Sequence, residues 1–424
     1  MKKILVFTSC LLTGTALFAQ QDTLTSSKPQ SDPILVQRIT ELEDGLKELK
    51  NLSITGYIQN QFQYGEKDAS LKVGGPNEDK TKDFNRLGIR RGRIKFAYTR
   101  GIGTGVFQVD LTEKGLGLKD AYLKLTEPWL NSLSTTIGVF DRPFGYEISY
   151  SSSLRESPER STVFQTLFPE ERDLGAKLTL QAPKTSPWSI LKLDAGLFAG
   201  NGIKMETDSR KDFIGHLAIN QSSNDYFKWG AGVSYYNGGV YQGSKCIYRN
   251  NGNGFSVDST QTNIGKCAKR EYVGFDVEIN IFSKIGLTKF SSEYLFGTQP
   301  GGQKESKSPN ASVLPISDVY IRNFNGGYAM LVQDFGTLPV SAIAKYDWYR
   351  PNTKVKGNDI GKNKTNVGDI AFNTLGLGLQ WKINNSFRLT AYYEIVKNET
   401  SANLKGYETD RKDNAFTLRL QYKF

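Results

Sequence analysis

From Leu52 to the C-terminus the chain alternates apolar and polar residues with a period of two, which marks strands that hide one face. In "LSITGYIQNQFQY", Ile54, Ile58, Phe62 and Tyr64 share a face opposite Thr55, Gln59, Gln61 and Gln63. In "EYVGFDVEINIF", Val273, Phe275, Val277, Ile279 and Ile281 oppose Asp276, Glu278 and Asn280. The closing "NAFTLRLQYKF" sets Phe416, Leu418, Leu420, Tyr422 and Phe424 against Thr417, Arg419, Gln421 and Lys423. Such segments predict about sixteen strands. They begin near residues 53, 86, 103, 118, 132, 172, 188, 211, 228, 271, 285, 319, 337, 370, 386 and 413.

Their connections alternate in length. Short ones are "TRGIG", "EPWLN", "APKTSP", "NQSSND", "FSKI", "DFGT" and "INNS". Long ones fall at 65–85, 142–171, 200–210, 238–270, 298–318, 351–369 and 399–412, with 113–117 the short exception. An even strand number with short turns at one end and long loops at the other is the pattern of an all-β transmembrane barrel. A soluble sandwich has no reason to sort its loops so, and would have to hide many outward aromatics from water. In a closed barrel the last strand pairs with the first, so a chain can end on Phe424 without a frayed edge.

Residues 33–50 follow another period. Leu35, Ile39, Leu42, Leu46 and Leu49 form a heptad seam, with Asp32 as cap and Pro33 in the first turn. The seam predicts either an amphipathic helix packed on its own protein or a short oligomerisation coil. It ends a polar stretch that opens at residue 20, so the expected organisation is 1–19, 20–51 and a barrel over 52–424.

Composition fixes the compartment. Of 424 residues, 38% are hydrophobic and 12% aromatic, with 42 glycines, which suits one hidden strand face and many turns better than a packed core. Lys2 and Lys3, an apolar run from Ile4 to Phe18, and Ala19 form a secretory signal cleaved near Ala19. Cys10 lies too early for a lipoprotein anchor. No later stretch has the roughly 18 apolar residues of a membrane helix. The formal charge of +11 falls by two when Lys2 and Lys3 leave with the signal. For an exported chain such a balance points to acidic lipid or anionic solutes rather than nucleic acid. Cys246 and Cys267 bracket a polar stretch in the fifth external loop, and an oxidising compartment predicts a disulfide between them.

The polar faces carry the candidate chemistry. In "RLGIRRGRIKFAYTR", Ile94, Phe96 and Tyr98 face lipid, so Arg91, Arg93 and Lys95 point inward, with Arg86 and Arg90 at a rim. This patch reads either as a headgroup-binding rim or as a positive ladder that draws anions through the pore. Elsewhere Lys124, Lys177, Lys192, Lys289, Lys345, Arg388, Arg419 and Lys423 point inward. Asp110, Asp120, Asp194, Asp276, Glu278, Glu293, Asp347 and Glu394 balance them. The long segment 142–171 carries Arg142, Arg155, Arg160 and the hydroxyls of Ser151, Ser152 and Ser153, suitable donors for phosphate oxygens. Glu147, Glu156, Glu159, Glu170 and Glu171 stand ready to neutralise those arginines.

No enzyme is expected. His216 is the single histidine, with Asp212 at the same parity but no nucleophile motif, so it reads as a strand residue of the wall. "GIGTG" at 101–105 sits at a hairpin and lacks the strand–loop–helix context of a phosphate loop. No metal cluster or cofactor is implied. A plugged receptor would need about twenty-two strands, and a hydrophobic-substrate channel an apolar lumen.

The motifs "RLGIRRGRIKF", "DAYLKL", "IGVFDRPFGYE" followed by "SPERS", and "LGAKLTL" resemble the phosphate-selective porin O and P family. The resemblance covers most of 52–424 and is strongest over 85–180. It implies a trimeric, sixteen-stranded Gram-negative outer-membrane porin with an arginine ladder and a third loop folded inward. Arg90, Arg91 and Arg93 match part of that ladder, and Arg142 stands where a lysine often precedes the family's "PFG". The terminal Phe424 resembles the signal read by barrel-assembly machinery. The expected function is passive diffusion favouring small anions such as phosphate, the alternative being a general-diffusion or sugar-selective pore. The expected partners are anionic solutes, outer-membrane lipid and two further copies of the chain.

Overall fold

The computed structural model describes residues 33–222, 226–310 and 312–424. Its first half holds β1 (Leu52–Gly65), β2 (Phe84–Arg100), β3 (Gly103–Thr112), β4 (Gly115–Thr126) and β5 (Leu133–Asp141). Then come β6 (Arg172–Gln181), β7 (Leu191–Phe198), β8 (Asp212–Ser222) and β9 (Phe227–Tyr241). After β10 (Cys246–Asn250) and β11 (Phe255–Ser259) follow β12 (Cys267–Ser283), β13 (Gly286–Gly301) and β14 (Val319–Asp334). The last are β15 (Val340–Arg350), β16 (Phe372–Lys382), β17 (Phe387–Asn398) and β18 (Ala415–Lys423).

All but β10 and β11 pair antiparallel with their neighbours, β9 joining β12, and β18 returns to β1 to close a sixteen-stranded barrel. The seam runs from Tyr57↔Lys423 to Gly65↔Ala415 and continues as mutual 3.0 Å backbone bonds between Gly56 and Phe424. A Cβ at position 56 would stand 2.5 Å from both the Phe424 ring and the Arg93 carbonyl oxygen, so only glycine lets the ends meet. Polarity is inverted relative to a soluble protein. Ile54, Ile58, Phe62, Leu418, Leu420 and Tyr422 are exposed on the outside, while Gln59, Gln61, Gln63, Thr417, Arg419 and Gln421 are buried within.

Alternation breaks at two bulges. Gln59 pairs with Arg91 but Asn60 pairs with Ile89, leaving Arg90 as an extra residue in β2. Gln108 pairs with Asp120 but Val109 pairs with Leu118, leaving Lys119 as an extra residue in β4. An added residue puts two successive side chains on one face. Arg90 therefore points inward beside Arg91 rather than sitting at a rim, and Lys119 joins Asp120.

The segment between β9 and β12 also departs from expectation. It folds into the hairpin β10–β11, and β10 lies parallel to β14 from Ile247↔Val319 to Arg249↔Ile321. Tyr248 and Tyr320 stack there, with ring centroids 4.2 Å apart. Cys246 opens this hairpin opposite Ser259, its Sγ 3.5 Å from the Ser259 hydroxyl. Cys267 opens a barrel strand opposite Tyr241. The two thiols are free, so the expected disulfide is not formed. The hairpin turns one cysteine towards its own return strand while the wall keeps the other. Nearby, the loops after β15 and β17 share a small core of Val355, Ile360, Ile370 and Tyr407.

The helix α1 (Pro33–Lys50) belongs to a unit of its own, ending at Lys50. Ile34, Leu42, Leu46 and Leu49 are exposed on it. The signal segment 1–19 and the polar stretch up to 32 lie outside the described residues, as do the side chains of Leu35 and Ile39.

Free thiols are directly measurable. Unreduced, solubilised protein should take up a maleimide at both Cys246 and Cys267, read by peptide mass spectrometry. A recovered Cys246–Cys267 cross-linked peptide is the contrary result.

Candidate functional site

The segment from 142 to 171, between β5 and β6, decides what the lumen can do. It includes α2 (Thr162–Leu167) and carries Phe144, Ile148, Val163, Phe164, Leu167 and Phe168, all buried. These side chains favour leaving water by about 1.5–3 kcal/mol each. They find cover inside the barrel, against Tyr236, Tyr272, Phe324 and Tyr328 on β9, β12 and β14. Phe168 stands edge-on to Tyr272 with centroids 5.6 Å apart. Gly274 makes room, since a Cβ there would meet the Phe144 ring at 2.7 Å.

Polar groups fasten the segment around the wall. The backbone amides of Tyr146 and Glu147 donate to Glu293 on β13 at 3.0 and 2.6 Å. Lys345 on β15 donates to the Glu147 carboxylate at 2.6 Å, and Thr162 N–H donates to Asp347 at 3.1 Å. On the far side Gln59 of β1 donates to the Ser152 carbonyl, Arg388 of β17 to those of Leu154 and Arg155, and Arg419 of β18 to that of Pro158. The segment therefore crosses the barrel interior.

The arginines singled out from sequence are mostly occupied. Arg90 binds Glu159 through two bonds of 2.8 Å, and Arg91 and Arg419 each add one of 2.8 Å to the same carboxylate. Burial opposes ionisation of Glu159, but Arg90, Arg91 and Arg419 outweigh it and hold the carboxyl well below its ordinary range. Arg93 bonds Asp110 at 3.1 Å and the Ser152 hydroxyl at 3.0 Å. Arg142 donates to the carbonyls of Pro169 and Arg172 and lies over the Phe168 ring. Arg160 staples the segment to itself through the carbonyls of Glu147 and Ile148 and the Glu171 carboxylate. Arg155 is buried and its three guanidinium nitrogens have no partner among the described residues. Burial, then the Arg160 charge, push its pKa down to about 10.

Two chambers lie on either side of the segment. Towards the long loops is a space of about 240 Å³ bordered by Arg90, Arg91, Arg93, Asp110, Lys119, Glu159, Arg160, Glu170, Glu171 and Lys307. Towards the short turns is one of about 610 Å³. Its basic border is Lys95, Lys124, Arg142, Lys177 and Lys192, and its acidic border Asp120, Asp141, Asp194, Asp276 and Glu278. His216 faces that chamber with Nε2 3.0 Å from Asp276. Asp212, its partner by parity, is taken by Arg270 and the Tyr236 hydroxyl instead. Arg155 borders neither chamber.

Pairing separates the cations. Among the described residues Lys95, Lys119, Lys124 and Lys307 form no ion pair, whereas the bordering acids pair with lysine or arginine except Glu170, Glu278 and Asp276, whose partner is the imidazole of His216. Lys119 and Lys307 escaped the sequence reading. Lys119 had a signal: outward apolar residues are even-numbered at Leu116 and Leu118 but odd-numbered at Leu123 and Leu125. Lys307 arrives from a loop and had none.

No protein-family model matches the sequence, and no curated protein matches it. Solved structures do match in shape. The anion-selective porin from Comamonas acidovorans aligns with a TM-score of 0.53 and 11% identity over 88% of this chain and 99% of that one. OmpF of Salmonella typhi, solved with daunomycin, gives 0.54 and 12% over 88% and 97%. OmpT of Vibrio cholerae, in its trimer form, gives 0.51 and 11% over 88% and 99%. The chain has the barrel fold of Gram-negative outer-membrane porins.

The pair between Lys345 and Glu147, both almost wholly buried, offers a test of how the segment is held. Burial raises the Glu147 pKa, but the Lys345 charge and hydrogen bond, the Arg155 charge and the Ser161 amide together outweigh it for a net depression, so the pair contributes at neutral pH and weakens as acid approaches that lowered value. Lys345→Met should cost about 3–5 kcal/mol by stranding a buried carboxylate, read as a lower unfolding midpoint in detergent. An unchanged midpoint would remove this anchor.

Proposed function

We propose that the protein is a passive outer-membrane diffusion channel that favours small anions such as phosphate. The observation that carries this reading is the imbalance among charges without a lysine or arginine partner, four lysines against Glu170, Glu278 and Asp276 along the chambers. Paired charges cancel at short range, whereas a solvated ammonium between low-dielectric walls attracts anions from about a Debye length away. Lys119 in the smaller chamber, then Lys95 and Lys124 in the larger, succeed one another down β2 and β4. This replaces the arginine ladder by lysines as the groups that meet solute, while Arg90, Arg91 and Arg93 hold the inner segment. The sequence resemblance to phosphate-selective porins supports the same sign. A general-diffusion pore is the second reading, favoured by the even balance around the 610 Å³ chamber.

A trimer is the proposed assembly. It is supported by the exposed Leu42, Leu46 and Leu49 of α1 and by the trimeric form named for one structural neighbour.

Replacing Lys95 and Lys119 together by Glu should move the zero-current potential in a KCl gradient towards cation preference. Insertion into planar bilayers should be normal, because the lipid face and the anchors of the inner segment are untouched. A cation-preferring wild type, or an unmoved potential, rejects the anion reading. Deleting residues 21–50 should lower the thermal stability of the trimer in detergent; a monomer before deletion, by light scattering, rejects the assembly.

A further inference from the structure

Glu159 has an unusual place among the loop acids. Its carboxylate is 7% exposed and holds three guanidiniums from two strands, Arg90 and Arg91 of β2 and Arg419 of β18, on its two oxygens. Oε1 accepts from Arg90 Nε and Arg419 Nη2, and Oε2 from Arg90 Nη2 and Arg91 Nη2, each at 2.8 Å. The other partners of these arginines are uncharged: Gln59 Oε1 for Arg91 at 2.9 Å, and Gln61 Oε1 and the Pro158 carbonyl for Arg419 at 2.7 Å each. Three positive charges are thus offset by one negative charge, and the donors of the forks point at that carboxylate rather than into the chamber. Arg90, Arg91 and Glu159 all border the 240 Å³ chamber.

We propose that Glu159 is a specificity-determining residue of the pore, which masks the arginine cluster and keeps the channel a weak discriminator of anions. The inference rests on the anion reading above and adds where its strength is set. An oxyanion entering this chamber competes with Glu159 for guanidinium forks whose geometry suits either. While the carboxylate is present, the cluster gives solute only its residual charge. With an amide there, one oxygen acceptor is lost, a full charge is uncovered, and N–H donors turn to the chamber. The effect has a sign that a merely structural role does not share. If Glu159 only tied the segment down, its loss would widen the passage and pull selectivity towards unity.

The test compares Glu159→Gln with Glu170→Gln, a change at an exposed acid of the same chamber that forms no ion pair among the described residues. In planar bilayers the chloride-to-potassium permeability ratio from zero-current potentials should rise about threefold for Glu159→Gln and clearly less for Glu170→Gln. Inorganic phosphate should also block the KCl current of Glu159→Gln about tenfold more strongly than that of wild type. Equal rises in both variants, or a higher conductance with a falling ratio in Glu159→Gln, overturn the masking role. A wild type without anion preference that gains one in Glu159→Gln supports masking while rejecting the anion reading of the native pore. No response of either quantity in Glu159→Gln overturns the inference outright.

Discussion

Hydrocarbon offers no partner to a backbone amide or carbonyl, and every other feature of this protein follows from meeting that condition. A sheet can do so only by closing, and closure at the Gly56–Phe424 seam leaves no free edge. Once closed, each strand must send one set of side chains to lipid and the other inward. The inward set becomes polar because the lumen is large and wet, and the long connection after β5 then finds two kinds of neighbour. Tyrosines and phenylalanines on β9, β12 and β14 cover its apolar residues, while charged and amide side chains elsewhere bind its backbone.

That division leaves two chambers beside the inner segment, bordered by strands β2 to β9 and β12. It also explains the fate of the arginines. A guanidinium near an inward-folded loop meets carbonyls and carboxylates at fixed angles and is captured by them. A lysine with one flexible ammonium is captured less readily, and Lys95, Lys119 and Lys124 stay in contact with the passage.

Strand number, closure and lipid face were legible because a period of two that returns in segment after segment from residue 52 to 424 admits few other folds. Inward charges such as Asp276, Glu293, Lys345, Asp347 and Arg419 were legible for the same reason, whereas Arg270 of β12 and Arg322 of β14, both buried, were not picked out. The pairing of Arg90 with Glu159 was not, since it joins residues 69 apart through a loop whose path depends on packing. The hairpin β10–β11 was missed because its five-residue strands lie within a polar connection, and with it went the expected bond between Cys246 and Cys267. His216 shows the limit of parity arguments: Asp212 shares its face but not its neighbourhood, and Asp276 from another strand meets it instead.

The two bulges bear on how such a wall changes over generations. Each reads as the insertion of one codon that leaves the oily exterior intact, because the bulge absorbs the extra residue and only the numbering parity changes: Leu87 and Ile89 are followed by Ile94 and Phe96 on the same face across Arg90. A point replacement alters one charge in the tunnel. A single-codon gain absorbed as a bulge adds a charge and leaves the strand's remaining residues on their former faces. Lineages of this barrel should therefore differ in tunnel charge by jumps tied to length polymorphism in β2 and β4, and an aligner that forbids gaps within strands will misplace the very residues that line the passage.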